Sequence, residues 1–176
     1  YCGGFDDHDG MGISVITAYD FVDSAYLVFL QDNFDDFKTL INSRTIIIGF
    51  NNHRFDDNLA KANDIIIPPS KSYDMWKVIT STRPEGQRKG YSLGSLLTAN
   101  GLQGKTGLGS EAPKLAQTGQ WGKLITYCLS DTRKQVQILR LMCNDCLKDP
   151  NSGEYMKVKK PWEVIQVEGG LFTSAT

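Results

Sequence analysis

The chain has 176 residues, 40% of them apolar and 22% charged, with a formal net charge of −1. That size and balance describe one globular domain over 1–176 and exclude composition-driven disorder; a chain this long buries roughly 70% of its unfolded surface and needs no disulfide or metal to fold. No apolar run approaches the ~20 residues that cross a bilayer, because the longest candidate, Ile13–Leu30, is broken by Asp20, Asp23 and Ser24. No membrane attachment is expected. Tyr1 stands where a Met would, and no basic-then-apolar leader follows, which reads as a processed or partial chain.

The small net charge hides an asymmetry. Residues 1–64 carry eleven acids against four bases, and residues 65–176 carry nine acids against fifteen bases. The split suggests an acidic site facing a basic surface, against the plainer reading of two solvated faces. Cysteine is uninformative: Cys143-x-x-Cys146 lacks a second such pair, and His8 and His53 are the only histidines. A zinc site is therefore disfavoured, and reduced thiols in a cytoplasmic protein are expected.

In chain order the pattern is α/β. Ile13–Tyr19 is β-branched and aromatic, and with Ala25–Leu30 across a turn it reads as a hairpin. Asn33 can cap a helix that places Phe34, Phe37, Leu40 and Ile41 on one face. Thr45–Phe50 is a short continuously apolar strand, as in a sheet buried on both sides. Asn51 or Asn52 caps the next helix, through about Ala62, and Pro68-Pro69 closes the Ile65–Ile67 run that follows. Asp74–Ile79, with Asp74 as N-cap, and Tyr91–Ala99 read as helices. Between Thr80 and Lys123 lie nine glycines with Arg83, Arg88, Lys89, Lys105, Lys114 and Lys123, a loop-rich basic stretch. Such a stretch suits a phosphate-backbone clamp or, equally, a flexible surface loop. Trp121–Cys146 is the longest helical pattern, and 154–168 alternates like a terminal hairpin.

Two local patterns carry chemistry. Tyr127 and Asp131 stand four residues apart, so a phenol and a carboxylate project from one helix face. Asn52, Phe55 and Asp56 follow a buried strand, and ligands of open α/β sheets sit beyond strand carboxyl ends. Taken alone, Asp56 is more simply a first-turn acid favoured by the helix dipole. Asn52 is more simply a cap and Phe55 a core residue. Tyr73, Trp76, Tyr91 and Trp121, close in sequence to the basic loop, are likewise read first as core.

Together, in this order, the two patterns resemble those of the DEDD-type 3′–5′ exonucleases, tyrosine subtype, within the ribonuclease H-like superfamily. Asn52, Phe55 and Asp56 match the second motif, with Leu59 one place early; Tyr127 and Asp131 match the third. Tyr91–Leu97 resembles the helix between them, and the stand-alone enzymes of phages and bacteria look nearest. The resemblance covers about residues 11–147. It implies a three-layer fold with a mixed central sheet, and an intracellular, bacterial or phage setting. The implied activity is hydrolysis of phosphodiester bonds at a single-stranded 3′ end, DNA first and RNA second. Two Mg²⁺ or Mn²⁺ ions would clamp the attacking and leaving oxygens, and hard cations of this kind prefer carboxylate donors. Asp56 and Asp131 would be metal ligands and Tyr127 would orient the attacking water. Asn52, Phe55, Arg88, Lys89 and Lys105 would contact the strand.

The first motif of that family, Asp-x-Glu on an opening strand, is absent. Asp6, Asp7 and Asp9 are the only acids ahead of the first strand. Either the opening strand lies upstream of Tyr1, or Asp7 or Asp9 substitutes. The alternatives are a non-cleaving nucleic-acid-binding relative and an unrelated protein-interaction scaffold.

Overall fold

The computed structural model describes residues 7–83, 88–104 and 111–165. β1 (Ile16–Asp20) and β2 (Ala25–Phe29) pair antiparallel, with Ile16 opposite Phe29 and Asp20 opposite Ala25. The expected hairpin is therefore present. Its tip is fixed by Asp20, whose Oδ1 accepts from the Val22 N–H at 3.1 Å and from Arg44 Nε at 2.9 Å. The bonds from Arg44 hold this carboxyl down at about 2, against the upward pull of burial.

α1 (Phe34–Ser43) buries Phe37 and Ile41 on the predicted face. Asn33 stands at its N-cap, as expected, but its side chain makes no bond to the first turn; its Oδ1 instead accepts from the Leu30 N–H at 2.6 Å, beside the 3-10 turn over Gln31–Asn33. β3 (Ile47–Gly49) pairs in parallel with β4 (Ser72–Asp74), Ile47 opposite Ser72 and Gly49 opposite Asp74. Parallel neighbours need a crossover, and α2 (Asp56–Ala62) lies within it.

The remaining described elements are helices. α3 (Met75–Ser81) has the predicted Asp74 cap, which accepts from the Lys77 N–H at 3.2 Å. α4 (Leu93–Ala99) is capped by Ser92 through the Ser95 N–H at 3.1 Å. α5 (Ala112–Gln117) occupies part of the stretch read as loop. α6 (Trp121–Cys143) runs 23 residues, and α7 (Pro161–Val164) follows.

Strand alternation places two helical layers on opposite sides of the strands. Ile16, Ala18, Leu27, Phe29 and Ile47 pack with Phe37 and Ile41 of α1 and with Leu59 and Ala60 of α2. Ile46 and Ile48, pointing the other way, pack with Ile138, Leu139 and Met142 of α6. Thr17 of β1 meets Thr132 of α6, Oγ1 to Oγ1, at 2.7 Å. On that side Tyr73, Tyr91, Leu96 and Leu97 join the core, so the two tyrosines are core residues as expected.

Three expectations need correction. The described strands form two separate pairs, β1–β2 and β3–β4, and not one mixed central sheet. The class is α/β. Second, 154–165 contains no hairpin: Tyr155 bridges Lys148, and the chain then turns into α7. Pro161 at the first helical position presets φ, and Glu163 Oε2 accepts from the Lys160 N–H at 2.6 Å. Residues 166–168 lie outside the described residues. Third, α2 begins at Asp56, and neither Asn51 nor Asn52 is its N-cap.

The strand burial is inverted relative to the sequence pattern. β4, which has no apolar run, is wholly buried, whereas Ile46–Ile48 of the apolar β3 segment are only half-buried. Among the described residues, β1 and β3 each have one edge with no strand against it.

Candidate active site

The turn between β3 and α2 is built on hydrogen bonds to β4. Asn51 takes a left-handed φ of 61°, which Asn tolerates better than most residues. Asn51 and His53 donate their N–H groups to Asp74 Oδ1 and Oδ2 at 2.9 and 3.2 Å. Asn52 is 4% exposed. Its Nδ2 donates to the two Asp57 oxygens at 3.1 and 3.2 Å and to Ser72 Oγ at 2.9 Å. Ser72 Oγ in turn donates to Asp57 Oδ2 at 2.7 Å, and His53 Nε2 lies 3.0 Å from Ser72 Oγ. Asn52 thus acts from inside the protein, holding the turn that presents Phe55 and Asp56, rather than lying open to a strand.

Gly49 explains how Asn52 fits. A Cβ at Gly49 would sit 2.7 Å from Asn52 Cβ and Cγ, closer than atoms tolerate. We expect Gly49→Ala to expel the Asn52 side chain and cost about 1–3 kcal/mol. Urea melts check the magnitude, and loss of amide protection across 51–57 by hydrogen exchange would locate it.

Asp56 is exposed at the first position of α2 and Phe55 is half-buried. The Phe55 ring lies 5.5 Å from the His8 ring. The Asp7–Met11 turn, where Asp7 Oδ1 accepts from the Gly10 N–H at 3.1 Å, therefore approaches the same end of β3. Asn63, just past α2, ties that entering segment down: its Nδ2 donates to Met11 O at 2.9 Å and its Oδ1 accepts from the Ile13 N–H at 3.3 Å.

Tyr127 and Asp131 lie one helical turn apart on α6, both half-buried, as their spacing predicts. Thr132, the next residue, anchors this turn of α6 against β1. Sequence reasoning missed Lys134: it is buried, 7% exposed, with Nζ 3.9 Å from Asp131 Oδ1. The Asp-x-x-Lys spacing on a helix was the available signal. Arg88 and Lys89 are exposed beside the Gly90 turn, where Lys89 O accepts from Asn151 Nδ2 at 3.1 Å. Lys105 lies outside the described residues.

The structure thus unites Asn52, Phe55 and Asp56 on one turn, and Tyr127, Asp131 and Lys134 on one helix. Asp56 and Asp131 each have suitable hard-oxygen chemistry for a divalent cation. Their number is short: among the described residues no group of three or more His, Cys, Asp or Glu side chains could hold an ion. No helix among the described residues is long and apolar enough to cross a membrane. No family model matches the chain, and no curated protein or solved structure matches it either.

Proposed function

We propose that this chain is the greater part of a metal-dependent 3′–5′ exonuclease domain of the ribonuclease H-like type, acting on a single-stranded nucleic-acid end, DNA before RNA. The observation that carries the reading is Tyr127-x-x-x-Asp131 on a long helix braced against β1, with Asp56 opening the helix that follows an apolar strand. In this reading one further strand, bearing the first-motif acids, pairs between β1 and β3. The half-buried Ile46–Ile48 run and the edges of β1 and β3 that carry no strand among the described residues support it, since exposed strand edges and apolar faces are costly. So does the approach of the Asp7–Met11 turn to Phe55.

Divalent ions would supply charge neutralisation at the attacked phosphate and acidify a water. Asp131 and Asp56 would hold them, together with acids from outside the described residues. Tyr127, one helical turn before Asp131, would hold a water through its hydroxyl. Arg88 and Lys89, exposed on the protein surface, would draw in the phosphate backbone.

The test is digestion of a 5′-labelled single strand with Mg²⁺ or Mn²⁺, using the chain and a form extended by residues encoded ahead of Tyr1. Stepwise shortening from the 3′ end by the extended form supports the reading. A form that binds the strand at low salt yet leaves it intact with both ions would instead make the protein a non-cleaving relative. That no three metal-ligating side chains group together among the described residues is the observation that favours that second reading. No binding at all would remove both.

A further inference from the structure

The outward face of α6 is basic and runs into apolar surface at both ends. Arg133, Gln137 and Arg140 of α6 and its C-cap Asn144 follow one another at steps of four, three and four, so they share one face, and all are exposed. Asp131 and Arg140 are nine residues apart, about two and a half turns, which puts this face on the far side of α6 from the candidate active site. At one end the Arg133 guanidinium lies 5.3 Å from the centre of the Tyr26 ring. Tyr26 packs on Tyr19 at 4.7 Å, and Tyr19 on Phe21 at 4.8 Å, with Phe21 51% exposed at the hairpin tip. At the other end Gln137, Arg140 and Asn144 line a hollow of about 610 Å³ with Leu102 and Leu141, two leucines that pack on the core.

The charges available on this face have one sign. Arg44, Arg83 and Lys160 each hold a carboxylate, whereas Arg133 and Arg140 hold none among the described residues. Asp23 in the hairpin turn and Asp145 just past Asn144 are exposed acids already paired, with Arg44 and Lys160. A guanidinium stacked on a ring is also held in place, so Arg133 gives up little freedom on meeting a carboxylate. We propose that this face of α6 docks an acidic peptide segment of a protein partner, its carboxylates on Arg133 and Arg140 and a leucine- or phenylalanine-sized side chain in the hollow beside Leu102 and Leu141. The two arginines stand about 10 Å apart along the helix, a span that roughly two turns of a facing helix or about three residues of an extended segment cover. A nucleic-acid strand fits less well, since the hollow is floored by leucine and the face looks away from Tyr127 and Asp131. Docking here does not depend on the exonuclease reading.

The experiment selects displayed random dodecapeptides on the immobilised chain and measures the enriched peptides by fluorescence anisotropy. Wild type is compared with Arg133→Glu/Arg140→Glu and with the milder Arg133→Gln/Arg140→Gln, which is read if the first does not fold. The enriched sequences are expected to combine Asp or Glu with Leu or Phe, to bind about tenfold more weakly to either double variant, and to weaken as salt rises. No enrichment, enrichment of peptides without acids, or equal binding by a folded double variant overturns the proposal. Two other results also overturn it by naming a different occupant. One is a labelled thymidine single strand whose binding falls in the double variants while peptide binding does not. The other is a wild-type dimer in sedimentation that the double variants lose.

Discussion

Asp131→Ala is expected to reduce Mg²⁺- or Mn²⁺-dependent 3′-end digestion by about three orders of magnitude, close to 4 kcal/mol of lost transition-state stabilisation. The reason is electrostatic. In the exonuclease reading proposed above, a phosphodiester and its attacking water accumulate negative charge, and the carboxylate that would fix the neutralising cation has no substitute one methyl group long. The same change should leave the fold in place, because Thr132 still braces α6 on β1 and the apolar stripe of Ile138 and Met142 is untouched, but it should cost about 1–3 kcal/mol of stability by taking the carboxylate from beside the buried Lys134 ammonium. Tyr127→Phe should be milder, roughly tenfold slower with Mn²⁺ affinity unchanged, since in that reading the hydroxyl would only direct a water. Single-turnover rates with a labelled strand, beside a thermal melt of each variant, read both effects. Digestion by Asp131→Ala at the wild-type rate would take this residue out of the reaction.

Asp149→Ala is expected to produce the largest loss of stability, about 2–4 kcal/mol, or roughly 5–15 °C in Tm for a chain of this size. Asp149 is 3% exposed. Both of its oxygens accept from the Tyr91 hydroxyl at 3.0 Å, Arg83 Nη2 pairs with it at 2.7 Å, and its Oδ1 accepts from the Asn151 N–H at 2.8 Å. The Arg83 guanidinium also lies 5.6 Å from the centre of the Tyr91 ring. One carboxylate thus joins the end of α3, the approach to α4 and the loop after α6. Truncation leaves a buried phenol and a partly buried guanidinium without their acceptor, which costs more than the bonds themselves contribute.

The acid dependence has a definite sign. Burial alone pushes the Asp149 carboxyl up, but the bonds from Asn151 and Tyr91 and the Arg83 charge outweigh it and hold it below the usual carboxylate range. A lowered folded-state pKa means the stabilisation is complete above about pH 4, the ordinary aspartate value, and fades as pH falls through the folded-state value. Urea melts at pH 7 and pH 3 should therefore show a smaller gap between wild type and Asp149→Ala at the lower pH. An equal gap at both would mean that the charge on Asp149 contributes nothing.

What the sequence determined by itself was local. The β-branched alternation of the first hairpin, the apolar faces of α1 and α6, the Asp74 cap and the four-residue step from Tyr127 to Asp131 all follow from periodicity and capping within a few residues. Only tertiary structure decided the rest, because the deciding partners are remote in sequence. Ser72–Asp74 is a strand because Ile47–Gly49 lies beside it. Asn52 is a buried bracket because Asp57, Ser72 and the bare face of Gly49 receive it. Lys134 is buried because the stripe that carries it runs into the core below Asp131. A side chain's spacing fixes which way it points, but burial and charge depend on what the folded chain brings to meet it.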